Sequence, residues 1–258
     1  MDINLNADLG ESFGAWRMGD DAALLRIVGS ANVACGFHAG DPLVMANTVR
    51  LARAAGVSIG AHPAFPDLQG FGRRVMRLGA DELAAVVVYQ VGALMGMART
   101  QGLAVTHVKP HGAMSNLACE DAAMATTIAQ AVKAVDPGLI LLAPALSQLA
   151  RAGRAAGLRV ADEVFADRAY TDDGNLVPRS QPGAVLDSSA DCLAHVLRML
   201  DRGGIVTASG KLLPTRFHSI CVHGDNHHAV ATAAAVRDGL LAAGHRLCPL
   251  PDLPDLQG

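Results

Sequence analysis

Short apolar runs typical of β-strands alternate along the chain with longer segments typical of helices, and this alternation restricts the fold more than any other feature. Residues 2–8 alternate polar and apolar side chains with a period of two, which predicts the first strand. Further strands are predicted at 31–35, 57–61, 105–108, 139–142, 159–165 and 219–223, and helices at 42–55, 80–101, 120–134, 146–156, 188–201 and 227–242. Repeated strand–helix units form parallel sheets with right-handed crossovers. Seven strands with this rhythm favour a closed or nearly closed (β/α) barrel over the alternative, a doubly wound open sheet.

Start and stop signals support the predicted helices. Asp41 precedes Pro42 as an N-cap followed by proline in the first helical position. Glycine follows four of the helices, at Gly56, Gly102, Gly157 and Gly203. The whole chain, 1–258, is predicted to be one barrel domain, with a small hairpin at 203–217 and an irregular C-terminal tail at 249–258.

The composition excludes several classes of protein. With 51% hydrophobic and 17% charged residues, the 258-residue chain is neither disordered nor fibrous. The most apolar helical stretch, 83–98, contains Gln90 and is too short to span the ~30 Å hydrocarbon core of a membrane. No secretory signal is predicted at the N-terminus, and a net charge of −3 argues against nucleic acid as the main partner. We expect a soluble, cytoplasmic protein.

Ionisable side chains lie immediately after six of the seven predicted strands. In chain order they are Asp8 and Glu11, His38 and Asp41, His62, Lys109 and His111, Asp167 and Arg168, and His223 and Asp225. The C-terminal ends of parallel strands converge at one edge, where the connecting loops build sites. A single histidine at a strand end is more often structural than functional, but six occupied strand ends predict an active site at this edge.

Asp8, His38 and His62 are the residue types that hold a divalent metal, namely a carboxylate and two imidazoles, with water left to be activated. No short spacing places these three on one element, so a hydrogen-bonded His/Asp network is an equal alternative. Asp8 and Glu11 are also candidates for a general base and its partner, because crowding of two carboxyl groups raises one pKa towards neutrality.

Three cationic points accompany these groups. Lys109 ends the fourth strand, Arg73 and Arg74 follow a Gly-Phe-Gly turn, and Arg168 follows the sixth strand. They suggest an anionic ligand, either a carboxylate or a phosphate, with structural salt bridges as the alternative. A standard nucleotide loop is not predicted. The nearest candidate, 204–212, has one residue too many between its glycines and no Ser or Thr after its lysine.

Several of these segments resemble the signatures of a known family. They are Asn6-Ala7-Asp8-Leu9-Gly10-Glu11, the stretch from Ser30 to Pro42, Gly60-Ala61-His62-Pro63, Gly70-Phe71-Gly72-Arg73-Arg74, Val108-Lys109-Pro110-His111-Gly112 and Glu163-Val164-Phe165-Ala166-Asp167-Arg168. These segments occur in the same order as in the LamB/YcsF family, and the similarity covers nearly the whole chain. This family is the lactam-utilisation group assigned as the A subunit of bacterial 5-oxoprolinase. One departure is Ala113-Met114-Ser115-Asn116, where the family usually has Ala-Leu-Tyr-Asn. The tyrosine hydroxyl and ring are therefore absent near Lys109 and His111.

The resemblance implies a single-domain, distorted seven-stranded parallel (β/α) barrel, similar to the glycoside hydrolase/deacetylase superfamily. It also implies ATP-dependent opening of the lactam of 5-oxo-L-proline to L-glutamate, with release of ADP and phosphate. The implied partners are 5-oxoprolinase subunits B and C, and the implied co-substrate is ATP, carried with Mg²⁺.

Each candidate residue has a role under this resemblance. Asp8, with Glu11, activates water, and Lys109 and His111 complete the catalytic set. Lys109 and Arg168 neutralise negative charge, and Arg73 or Arg74 holds the substrate carboxylate. Proton carriers or metal ligands are His38, His62 and His111. The residues predicted to bind substrate or phosphate are Asn6, Asn32, Arg73, Arg74, Asp167, Arg168 and His223.

Two other functions stay open at this point. The first is a metal-dependent deacetylase or amidohydrolase that acts without ATP on a carbohydrate or a cyclic amide, which the set of Asp8, His38 and His62 favours. The scarcity of aromatic residues, 3%, argues against an aromatic-lined sugar cleft. The second is a non-catalytic subunit that binds substrate or serves as a scaffold. The sequence leaves the oligomeric state open as well.

Overall fold

A computed structural model describes residues 1–224 and 228–257, and its centre is a closed barrel of parallel strands. The strands are β1 (Asp2–Leu9), β2 (Ser30–Ala34), β3 (Ser58–His62), β4 (Val105–Val108), β5 (Ile140–Pro144), β6 (Arg159–Phe165), β7 (Gly204–Val206), β8 (Leu212–Pro214), β9 (Ser219–Val222) and β10 (Arg246–Leu247). The barrel runs in the order β1-β2-β3-β4-β5-β6-β9, and pairing of β1 with β9 closes it. The predicted seven-stranded parallel barrel is confirmed, and the open sheet is excluded.

Helices surround the barrel. They are α1 (Asp21–Leu24), α2 (Pro42–Ala55), α3 (Ala80–Thr100), α4 (Gly112–Glu120), α5 (Ala122–Val135), α6 (Gln148–Ala155), α7 (Ser189–Arg202) and α8 (Ala229–Ala242). Asp41 caps α2, since its Oδ1 accepts hydrogen bonds from the backbone of Leu43 and Val44. The sequence prediction lacked α1 and α4. Glycine, serine and asparagine give α4 little intrinsic helix propensity, and burial of Met114 and Ala118 stabilises it instead.

Helix α3 is longer than the apolar stretch recognised in the sequence. Its 21 residues make it long and apolar enough, by length and composition, to cross a membrane. The prediction that this segment is too short was therefore wrong. In the fold, α3 contacts α2, α5, β3 and β4, and buries Leu83, Val87, Val91 and Leu94. It is one element of the barrel's outer layer.

The period-two pattern of β1 has an unexpected orientation. Its apolar residues face outwards to the helices, and Asn4 and Asn6 face into the barrel, where they are fully buried. Asn4 donates to Ser30 Oγ at 2.9 Å, and Asn6 donates to Ser219 Oγ at 2.8 Å. A polar interior of this kind is stable only because its donors and acceptors are paired. It also aims Asp8, the next inward residue, at the C-terminal mouth.

The C-terminal residues close the other end of the barrel. Where the sequence predicted an irregular tail at 249–258, the structure has two 3-10 turns, Leu250–Asp252 and Pro254–Leu256. Leu250, Leu253 and Leu256 pack in a buried cluster with barrel residues. The regular spacing of these three leucines explains why a proline-rich segment becomes ordered.

The predicted hairpin at 203–217 is present as β7 and β8, which pair antiparallel. The segment 204–212, the nearest candidate for a nucleotide loop, therefore forms a strand, a turn and the start of a second strand. A phosphate-binding loop would instead lead from a strand into a helix N-terminus.

Candidate active site

A cavity of about 390 Å³ opens at the C-terminal ends of the barrel strands, where the sequence predicted the site. Seven of the predicted residues line it: Asp8, His62, Arg73, Lys109, His111, Arg168 and His223. Ser115, which stands where the resembling family usually has tyrosine, also lines the cavity. Asp225 lies outside the described residues. The strand ends therefore converge on one chamber, as the parallel fold requires.

A buried ion pair between Asp8 and Lys109 lies at the floor of the cavity. Lys109 Nζ donates to Asp8 Oδ1 at 2.9 Å, and both side chains are about 95% buried. Burial raises the pKa of Asp8, but the charges of His62 and Lys109 outweigh it and hold that pKa well below its usual value. Burial lowers the pKa of Lys109, but the Asp8 carboxylate outweighs this and raises it. The pair is thus a carboxylate and an ammonium group.

Lys109 has further partners that no sequence pattern indicates. Its Nζ lies 3.2 Å from Glu163 Oε1 and donates to Cys221 Sγ at 3.0 Å. Glu163 Oε2 has no hydrogen-bond partner among the described residues, and burial raises the pKa of Glu163. The ammonium group therefore holds two carboxyl groups together. Its hydrogen bonds to these acceptors fix its orientation at the floor of the cavity.

Asn6 and Asn32 position Asp8 from below the cavity. Asn32 Nδ2 donates to Asn6 Oδ1 at 2.7 Å and to Asp8 Oδ1 at 2.8 Å. Both amides are fully buried, and neither lines the cavity. The two asparagines, predicted to bind substrate or phosphate, instead form a rigid support for the carboxylate.

His107 completes this support, and its ring fills the space left by a glycine. Its Nε2 lies 3.0 Å from Asn32 Oδ1, and a Cβ at Gly60 would lie 2.2 Å from the ring. Burial, with the charges of Lys109 and His62, lowers the pKa of His107 to about 3.

His107→Gln should reduce the acid sensitivity of the fold. A neutral His107 is required in the folded state, whereas the unfolded chain takes up a proton near pH 6.5. Its stabilising contribution is therefore complete above pH 6.5 and is lost at about 1.4 kcal/mol per pH unit as the pH falls towards 3. Urea unfolding at several pH values measures the slope, which should be smaller by about one proton in the variant. Equal slopes in the two proteins would show that His107 does not take up a proton on unfolding in this pH range.

Four further groups, Glu11, His38, His62 and His111, converge beside Asp8. One potential ligand atom from each lies within 4.8 Å of the others. The rings of His38 and His111 stack with their centroids 3.9 Å apart. Burial lowers the pKa of both rings well below the ordinary value. This cluster holds two of the three predicted metal ligands, His38 and His62, with Glu11 and His111 in addition.

Asp8 lies next to this cluster rather than within it. Its Oδ2 is 3.4 Å from His62 Nε2, and it forms a separate group of potential ligands with Cys221 and His223. The predicted set of Asp8, His38 and His62 is therefore divided between two neighbouring groups.

The predicted arginines have different surroundings. Arg73 lines the cavity, with its guanidinium 4.9 Å from the centre of the Phe71 ring. The side chain of Arg74 is 62% exposed and pairs with Asp67, outside the cavity lining. Arg168 is buried, and it donates to the carbonyls of Val177 and Ala184. Arg73 thus lines the cavity, while Arg168 also fastens the segment that contains Val177 and Ala184.

Asp167, which follows β6, and His223, which follows β9 and lines the cavity, form a dyad. His223 Nδ1 lies 2.8 Å from Asp167 Oδ1, and the ring stacks on Phe165 at 5.3 Å. Burial raises the pKa of Asp167, but His223 lowers it further, and the carboxylate stays ionised. An imidazole oriented by a carboxylate at one nitrogen can exchange a proton at the other.

Comparison with known proteins gives a consistent result. The sequence profile of the LamB/YcsF family matches residues 3–255. The chain is 63% identical over 253 residues to the A subunit of 5-oxoprolinase from Azoarcus sp. (strain BH72), covering 98% of this chain and 99% of that protein. It superimposes on the crystal structure of the lactam utilization protein from Thermus thermophilus with a TM-score of 0.90, 45% identity, and coverage of 96% and 99%.

A more distant likeness concerns the fold alone. The catalytic domain of peptidoglycan N-acetylglucosamine deacetylase from Eubacterium rectale ATCC 33656 has a TM-score of 0.52 at 11% identity. The comparison covers 96% of this chain and 87% of that domain. The barrel therefore has the architecture that deacetylases also use.

Proposed function

The chain belongs to the LamB/YcsF family, and on this basis we propose that it is the ring-opening subunit of an ATP-dependent 5-oxoprolinase. Its substrate is 5-oxo-L-proline, its product is L-glutamate, and it works with subunits B and C. The observation that carries the proposal is the buried Asp8–Lys109 pair at the floor of a cavity with cationic and imidazole walls. This arrangement suits an anionic substrate attacked by water.

The chemical problem is the stability of the lactam. Resonance makes the amide carbon a poor electrophile, so water attacks it slowly. Transfer of the γ-phosphoryl group of ATP to the carbonyl oxygen makes this carbon electrophilic. Addition of water then gives a tetrahedral carbon that bears the ring nitrogen, a hydroxyl and the phosphate.

Asp8 is the group that takes the proton of the attacking water. It is ionised, it reaches the cavity, and Lys109 with Asn32 holds it in one orientation. A carboxylate fixed in this way does not need to reorganise as the proton moves. Arg73, on the cavity wall, is placed to bind the substrate carboxylate or the phosphate.

The Asp167–His223 dyad supplies the proton that the leaving nitrogen needs. Breaking the carbon–nitrogen bond expels an amine, which leaves only if it is protonated. His223 gives up the proton, and Asp167 orients the ring for it. The bond cleavage yields an acyl phosphate, and a second water releases phosphate from it. One lactam, one ATP and two waters thus give glutamate, ADP and phosphate.

ATP enters this scheme as a co-substrate with Mg²⁺. The segment 204–212, the nearest sequence candidate for a nucleotide loop, forms a hairpin rather than a loop that leads into a helix. We therefore expect turnover to require the partner subunits as well as this chain.

The test is turnover of 5-oxo-L-proline with and without ATP, and with and without subunits B and C. We expect glutamate and phosphate to form in equal amounts, and only when ATP and all three subunits are present. Turnover without ATP that a chelator abolishes would instead identify a metal-dependent amidohydrolase. Full turnover by the partner subunits without this chain would identify a scaffold.

A further inference from the structure

The hydrogen positions on two rings of the cluster beside Asp8 follow from their backbone partners. His62 Nδ1 lies 2.6 Å from the carbonyl oxygen of Lys109, and His111 Nε2 lies 2.8 Å from the carbonyl oxygen of Phe71. A carbonyl oxygen only accepts, so each of these nitrogens carries the hydrogen and donates it. When such a ring carries no second hydrogen, its other nitrogen presents a lone pair.

These two lone pairs face each other. His62 Nε2 and His111 Nδ1 are 3.0 Å apart in a buried position. Two acceptors at this distance repel each other unless a positive charge lies between them. Backbone carbonyls that fix the outer nitrogen of a histidine are the usual second-shell arrangement of metal-binding imidazoles.

A carboxylate completes the set. Glu11 Oε1 is 3.5 Å from His111 Nδ1, and it accepts a hydrogen bond from His38 Nε2 at 3.1 Å. Ligand atoms around a tetrahedral ion with bonds of ~2.0–2.1 Å are themselves ~3.3 Å apart. The two spacings from His111 Nδ1, 3.0 Å to His62 and 3.5 Å to Glu11, lie close to this value, and the ligand atoms of Glu11 and His62 lie within 4.8 Å of each other.

The backbone is shaped to keep this arrangement. Phe71, whose carbonyl orients His111, has a φ of 55°. A non-glycine residue adopts this left-handed conformation only when its surroundings enforce it. At the next residue, a Cβ on Gly72 would lie 2.8 Å from the His111 ring, so only glycine allows the turn to approach the cluster.

We propose that Glu11, His62 and His111 bind a divalent transition-metal ion of the zinc type, with His38 holding Glu11 in place. Nitrogen ligands favour such ions over Mg²⁺, which prefers oxygen. The site is separate from the metal that accompanies ATP, and the inference does not depend on the proposed reaction. When bound, the ion would polarise a water or a substrate oxygen beside Asp8.

The test is metal binding, followed by the visible absorption of Co²⁺ added to the chelator-treated chain. We expect one equivalent to bind and to give the intense bands of a four-coordinate site. Glu11→Gln, His62→Ala and His111→Ala should each weaken binding by more than the ~10–100-fold typical of losing an outer-sphere partner. Circular dichroism of each variant shows whether it is folded, and Glu11→Gln preserves side-chain volume.

His223→Ala is the matched control, because His223 belongs to the neighbouring group with Asp8 and Cys221. It should bind Co²⁺ as the unaltered chain does. Loss of the ion in this variant would place the metal in that second group and overturn the proposal. Absence of stoichiometric binding by the unaltered chain would also overturn it. A proton shared between His62 and His111 would then explain the short distance between their nitrogens.

Discussion

Asp8→Asn is expected to reduce turnover of 5-oxo-L-proline by about 10²–10⁴-fold, the range typical of removing a positioned general base. Asparagine has nearly the same shape as aspartate and can still accept a hydrogen bond from Lys109. It cannot take up the proton of the attacking water. The loss should therefore fall on kcat, while KM changes little.

The measurement is the release of glutamate and phosphate by the complete set of subunits with ATP. Asp238→Asn is the matched control. Asp238 pairs with Arg237 on the exposed surface of α8, so its replacement should leave turnover unchanged. Full activity of Asp8→Asn would show that Asp8 is not the base, and the proposed chemistry would need another group.

The barrel could be predicted because its signals are local. The alternation in 2–8 and the glycines after four helices depend only on neighbouring residues, and all four glycines have positive φ in the structure. The 3-10 turns of the tail could not be predicted in this way. Their leucines are ordered by contact with Ile140 and Leu142, more than a hundred residues earlier in the chain.

The position of the site could be predicted from local signals, but the contacts within it could not. Strand ends placed Asp8, His62, Lys109 and His111 at one edge, and all four line the cavity. Which groups bond to one another depends on strand register. Lys109 meets Cys221 from 112 residues away, and no spacing in the sequence predicts that contact.

Glu163 was missed although a signal for it existed. It belongs to a segment that resembles the family, yet the sequence pattern assigned it no role. In the sequence it lies within a predicted strand, between Asp162 and Val164, and a carboxyl group on the inner face of such a strand is costly unless it is paired. In the structure Glu163 is buried, and its partner is the Lys109 ammonium group.

Lys109→Met is expected to lower the free energy of unfolding by about 3–5 kcal/mol, the usual effect of removing one partner from a buried ion pair. Methionine fills a similar volume, so packing changes little. The loss arises because Asp8 keeps its charge without a counter-ion, while Glu163 loses the ammonium group 3.2 Å from its oxygen. Urea unfolding at neutral pH measures it.

Lys211→Met is the control for replacing a lysine as such. Lys211 lies on the exposed hairpin and donates to the carbonyl of Asp172. A surface change of this kind shifts the free energy of unfolding by about 0.5 kcal/mol or less. A comparable loss of unfolding free energy in both variants would mean that the ion pairs of Lys109 stabilise the fold no more than a surface lysine does.

The double variant Asp8→Asn/Lys109→Met distinguishes the cost of an unpaired buried charge from the cost of lost packing. If the penalty comes from an unpaired buried carboxylate, removing that charge should restore most of the stability, so the two substitutions will not add. If the double variant is as unstable as the sum of the single ones, Asp8 is neutral or solvated in the fold. In that case Asp8 would also be unsuited to act as the base. The stability cycle and the turnover of Asp8→Asn therefore test the same ionised carboxylate by independent measurements.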